Sequence, residues 1–260
     1  MKQFIKSYWK TLLFFAIVGI VGGFFIGIYV LDGYPPELQK QLLDELAAAG
    51  LAGDSPDIII GIITAMQAAG YGIVLGAIGI LLGKKIGLWK DEKKITQKPL
   101  IASFIVAVVG GSVLILSDLL FFGNHSQMIM DSYLVKPTIP YLIASVLYGG
   151  VIEEVMLRLF WLSLVAFVLW KVFDKKNERP STAILITANC IAALLFAAAH
   201  LPATATMFGL SPMIVFRCFL LNGGMGLAFG WLYRKYGLRY SMIAHGGCHI
   251  VSKIIWILFI

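Results

Sequence analysis

Apolar residues run along this chain in long unbroken blocks parted by short polar connections. The blocks near 11–31, 57–82, 99–122, 138–173, 182–200, 211–235 and 239–259 are each long enough to cross about 30 Å of hydrocarbon as a helix. Strands of a membrane barrel would alternate polar and apolar residues, and these blocks do not. The pattern predicts an all-α fold, a polytopic transmembrane helical bundle of about seven spans. Between the first two, Pro35-Pro36 stops a helix, and Glu37–Leu51 has the apolar spacing of a short amphipathic helix lying on the membrane interface.

Segment 138–173 would be about 54 Å long as one helix, so part of it is expected to overhang the bilayer around Lys171–Lys176. Gly149-Gly150 is its expected kink or break. The series Gly19, Gly23, Gly27 and the pair Gly226, Gly230 read as sites of close helix approach. No internal repeat points to an inverted-repeat transporter. The chain divides into N-terminal helices and loops, 1–137, and a core, 138–260, that carries the polar motifs described below.

Composition agrees with the pattern: 13% of residues are charged, against about 25% in soluble domains, and the mean hydropathy is +0.87. The net charge of +7 does not call for nucleic acid, because its distribution has another cause. Lys and Arg number three in the N-terminal arm, six in 83–98, four in 171–180 and three in 234–239. The opposite connections hold only Lys40 and Lys136, and the first of them is acidic instead, with Asp32, Glu37, Asp44, Glu45, Asp54 and Asp57. The positive-inside rule then places the N-terminus in the cytoplasm and the C-terminus outside, with the lipid bilayer as the partner. Lys2, Lys6 and Lys10 before an apolar stretch look like a signal sequence. Thr11–Leu31 is long enough to span, though, and no A-x-A site follows, so an uncleaved first helix is expected. Cys190, Cys218 and Cys248 are expected to be buried thiols outside any disulfide framework.

Chemistry enters where charge interrupts the apolar blocks. Glu153, Glu154 and Arg158 lie within one such block, where each costs roughly 2.5–3.5 kcal/mol at a bilayer centre. His200 ends the fifth block, and His245 and His249 share a face of the seventh. Glu154 and Arg158, also four apart, suit an ion pair, whereas Glu153 lies about 100° around the helix and is free to face another neighbour. Pro202 is expected to stop the fifth helix. Asp118 and Lys253, near outer helix ends, are expected to snorkel without chemistry. Arg217 is expected to pair structurally with a carbonyl or carboxylate. Asn222 suits either a helix–helix hydrogen bond or support of the site, and Cys248 suits packing.

A carboxylate beside a histidine can hold a water and take its proton, and stacked histidines can stabilise an oxyanion. Alternatively Glu153, His200, His245 and His249 can bind a divalent metal, zinc being suited to such a set. Both routes end in hydrolysis by an activated water.

Glu153-Glu154-x-x-x-Arg158, Phe196-x-x-x-His200 and His245-x-x-x-His249, in this order over roughly residues 138–255, resemble the CAAX protease and bacteriocin-processing family, also called abortive-infection-type intramembrane proteases. The stretch from Gly226 to Gly237 is similar to that family's approach to its last motif. The resemblance implies an intramembrane endopeptidase, named a metalloprotease in many relatives, in a prokaryotic plasma membrane, acting on a peptide or protein substrate at the membrane. It implies that Glu153 activates water with help from His200, that His245 and His249 form the oxyanion site, and that Glu154 and Arg158 orient them. Prenyl-protein endopeptidases commonly carry asparagine where this chain has His249, which donates like asparagine but ligates metal better. Two other readings of the same residues are a proton-coupled transporter and a catalytically silent scaffold or immunity protein. Nothing in the sequence sets an oligomeric state.

One feature of depth conflicts with a shared site. From the cytoplasmic rims Glu153 and His200 lie about 20 residues in and His245 about seven, a mismatch of nearly 20 Å. The fourth and fifth helices are therefore expected to extend past the bilayer on the cytoplasmic side.

Overall fold

The computed structural model describes residues 2–51, 55–91 and 94–260; Asp54 and Lys93, both counted in the loop charges above, lie outside the described residues. Its seven long apolar helices are Lys2–Leu31, Pro56–Ile86, Gln97–His125, Ile139–Phe173, Thr182–Phe208, Pro212–Tyr236 and Leu238–Phe259, called here the first to seventh spans. The described residues contain no strand, and the architecture is a polytopic helical bundle. The first span begins earlier than its apolar block because Lys2, Lys6 and Lys10 all lie on exposed positions, where lysine does not interrupt a helix. The amphipathic helix is Pro36–Ala48, with proline in its first turn, where its missing N–H goes unused.

Small residues set the helix contacts. Cβ atoms on Gly19, Gly23 and Gly27 would fall within 3 Å of backbone at Ala68, Thr64 and Gly61, so the first span lies directly on the second. Gly226 and Gly230 of the sixth span face Ala193 and Asn189 of the fifth in the same way.

The fourth span is the most buried of the seven. It is unbroken at Gly149-Gly150, where the expected kink is replaced by a widening: Ser145–Glu153 and Val155–Leu162 are π-helical. Such widening is frequent at functional sites. The glycines serve close approach instead, since a Cβ on Gly150 would stand 2.8 Å from Gly246 Cα of the seventh span. Ser163 and the Tyr233 hydroxyl lie 2.9 Å apart, and the turns 164–173 run on past that contact. Asn189 Nδ2 of the fifth span donates to the Leu227 carbonyl of the sixth (3.1 Å).

The helix Thr182–Ala199 ends at His200, two residues before Pro202, as expected. The chain turns at His200 and resumes as Leu201–Phe208 with Pro202 in its first turn, where proline costs no hydrogen bond. Cys190 is exposed rather than buried, on the outward face of the fifth span where lipid can cover a thiol, whereas Cys218 and Cys248 are buried; all three are free. Between the fourth and fifth spans Asp174 accepts the Ser181 N–H (2.9 Å), which holds its carboxyl below the usual carboxylate range.

Candidate active site

The widened fourth span turns Glu154 and Arg158 inward. Both are fully enclosed, at 0% and 1% exposure, and Arg158 Nη1 stands 3.1 Å from Glu154 Oε1. Neither terminal nitrogen of Arg158 has hydrogen-bond geometry. The guanidinium is held by charge and by two rings, Phe196 at 4.5 Å and Phe229 at 5.4 Å. Glu154 also accepts from the Ser241 hydroxyl and from His245 Nδ1 (2.9 Å). Bonded by two donors and paired with the Arg158 charge, this carboxylate serves to position its partners.

His245 is therefore oriented from below. Its Nδ1 carries the proton it donates to Glu154, and in the neutral ring Nε2 then presents a lone pair. Phe229 stacks on the ring at 4.4 Å, and Phe196 meets it edge-on at 5.7 Å. Nε2 faces Glu153 Oε2 at 3.9 Å, too far for a direct hydrogen bond and suited to one shared water. Glu153 is 20% exposed while Glu154 is closed off, so adjacent glutamates have opposite surroundings, as their offset around the helix implies.

One turn further along the seventh span His249 stacks on His245 at 5.0 Å. Its Nε2 lies over Gly149, where a Cβ would be 2.8 Å away. Glycine here lets both rings lie against the fourth span one turn from Glu153. His249 and His200 line a cavity of about 390 Å³ that runs out past Tyr141 and Thr138 to Val135, which is 69% exposed. His200 Nδ1 donates to the Phe196 carbonyl (2.8 Å), leaving Nε2 as an acceptor.

The structure thus brings Glu153, Glu154, Arg158, His245 and His249 together. His200 joins through Phe196 and the cavity, with no ion pair or hydrogen bond to Glu153. Among the described residues no group of three or more His, Cys, Asp or Glu gathers at metal-holding distances. No step below is routed through a metal; were one held here, His245 would ligate through Nε2 while its Nδ1–H on Glu154 orients the ring.

Two expectations are corrected. Lys253 does not snorkel: it is 6% exposed, its Nζ 3.3 Å from His249 Nδ1 and 4.4 Å above the Tyr141 ring. Asp118 is equally enclosed, gripped by Arg217 Nε (2.6 Å) and Nη2 (2.5 Å) and by the Tyr133 hydroxyl (2.8 Å). Burial together with that carboxylate pushes the Tyr133 hydroxyl up, which keeps it a donor. Both residues lie within a turn or two of a helix end, but the packed connection 126–138 covers those ends. Asn222 bonds the Cys218 carbonyl of its own helix (3.0 Å). Ser241, Phe229 and Gly149 were missed in the sequence, although Ser241 precedes His245 by one turn and that spacing is visible.

Residues 135–251 match the family model described as type II CAAX prenyl endopeptidase, Rce1-like. The matched region holds every site residue, and the matched family agrees with the one that its three motifs resemble. No curated protein and no solved structure matches the chain.

Proposed function

We propose that the protein is an intramembrane endopeptidase that hydrolyses a peptide bond of a membrane-associated or lipidated peptide by a water held between Glu153 and His245. The observation that carries this is the 3.9 Å gap between Glu153 Oε2 and His245 Nε2, with Nδ1 of the same ring tied to Glu154. Water placed there gives a proton to Glu153 as its oxygen attacks the carbonyl carbon. The carbonyl oxygen gains charge and needs an N–H donor. His245 in its neutral form has none to offer, so His249 takes that role. Collapse breaks the C–N bond, and the proton returns from Glu153 to the leaving amine. His200, an acceptor facing the cavity, suits a substrate N–H.

The charge asymmetry of the connections supports a cytoplasmic N-terminus, and the resemblance to prokaryotic relatives suits a prokaryotic plasma membrane. The cavity reaches the surface at 135–138, in a connection holding only Lys136, so substrate arrives from the external side. The test is reconstitution into liposomes with a panel of membrane-anchored peptides and mass spectrometry of the products. Wild type cleaves and Glu153→Gln does not; cleavage persisting in E153Q overturns the mechanism. Labelling of single cysteines at 135 and 175 with an impermeant maleimide on intact cells reads the orientation, with 135 expected to react and 175 not.

A further inference from the structure

We propose that Lys253 is a positioning residue that locks His249 as an Nε2–H donor; the inference rests on the hydrolytic reading above. An ammonium has three donors and no acceptor. Its contact with His249 Nδ1 at 3.3 Å is attractive only when that nitrogen carries the lone pair, which forces the ring proton onto Nε2. No backbone carbonyl or carboxylate among the described residues bonds Nδ1 of His249, unlike His200, held by the Phe196 carbonyl, and His245, held by Glu154.

The position of Lys253 has no other account. It lies one helical turn beyond His249, 6% exposed, and forms no ion pair with any carboxylate among the described residues. The Tyr141 ring beneath it at 4.4 Å favours a cation at that point. Burying a lysine beside an imidazole is costly, and the arrangement is explained if the lysine sets where the proton sits. The three histidines are then divided by their Nδ1 partners. Acceptor partners make His200 and His245 present lone pairs at Nε2, and a donor partner makes His249 present N–H, over Gly149 and beside the water position.

The test combines spectroscopy with a coupled mutant cycle. In ¹⁵N-histidine-labelled full-length protein in nanodiscs, assigned by difference with His249→Asn, the His249 signals are expected to report Nε2–H. An Nδ1–H tautomer overturns the proposal whatever the activity. In the peptide assay Lys253→Met is expected to lower kcat by at least about tenfold, since an oxyanion donor is worth ~10²–10³, with KM little changed. Lys253→Arg retains most of the rate. In the His249→Asn background, where an amide N–H needs no tautomer lock, Lys253→Met has no further effect on kcat. A loss of undiminished size in that background overturns the proposal. If wild type cleaves nothing while His249 reports Nε2–H and Lys253→Met weakens that preference, the hydrolytic reading fails and the tautomer lock stands; an Nε2–H signal unchanged in Lys253→Met overturns the lock.

Discussion

Nε2 of His249 lies so close over Gly149 that a Cβ there would stand 2.8 Å from it. The ring has little room to yield, because Lys253 and His245 hold it from two other sides. Gly149→Ala therefore displaces the imidazole from the fourth span. The expected result is a large fall in kcat with a stability cost of about 1–3 kcal/mol, the usual range for overpacking. Activity and thermal unfolding in detergent, measured on one preparation, check both parts.

Arg158→Met leaves Glu154 charged in an enclosed pocket. Removing one member of a buried pair costs roughly 3–5 kcal/mol. The double variant Glu154→Gln/Arg158→Met is expected to be more stable than Arg158→Met alone, since no buried charge remains, the Gln carbonyl still accepts from His245, and its amide can donate to the Ser241 hydroxyl. A double variant no better than the single one refutes the charge-pair account.

A Cβ on Gly230 would overlap Asn189 Oδ1, itself buried without a hydrogen-bond partner. Gly230→Ala is expected to lower the melting temperature even though alanine favours a helix by about 1 kcal/mol. Adding Asn189→Ala is expected to restore it, because the overlapping amide is then gone.

Prolonged treatment with EDTA or phenanthroline, followed by removal of the chelator, is expected to leave the cleavage rate unchanged. Loss of activity that zinc restores would instead assign Glu153 and the histidines to a metal.

Much of this was legible in the chain because helical spacing is local. Glu154–Arg158 and His245–His249 pair or stack as residues four apart must, and the glycine series sits where helices touch. Lys253 follows the same spacing from His249, but its depth in the seventh helix suggested an outer end open to water. That end is covered by the connection 126–138, whose packing no periodicity reports. Asp118 and Arg217, 99 residues apart in sequence, were each visible as an anomaly, while their pairing was not. The widening of the fourth span was equally silent, since glycine pairs suggest a kink as readily as close approach.

The clamp of Asp118 by Arg217 and Tyr133 joins the third span, the connection after it and the sixth span at the wall of the cavity. Two strong charge-assisted bonds in an apolar slab are weakly screened by salt and slow to part. That side of the passage therefore has a set calibre. On the proposed hydrolytic reading, a polypeptide entering this cavity toward His249 is gauged by its girth before any of its side chains is read.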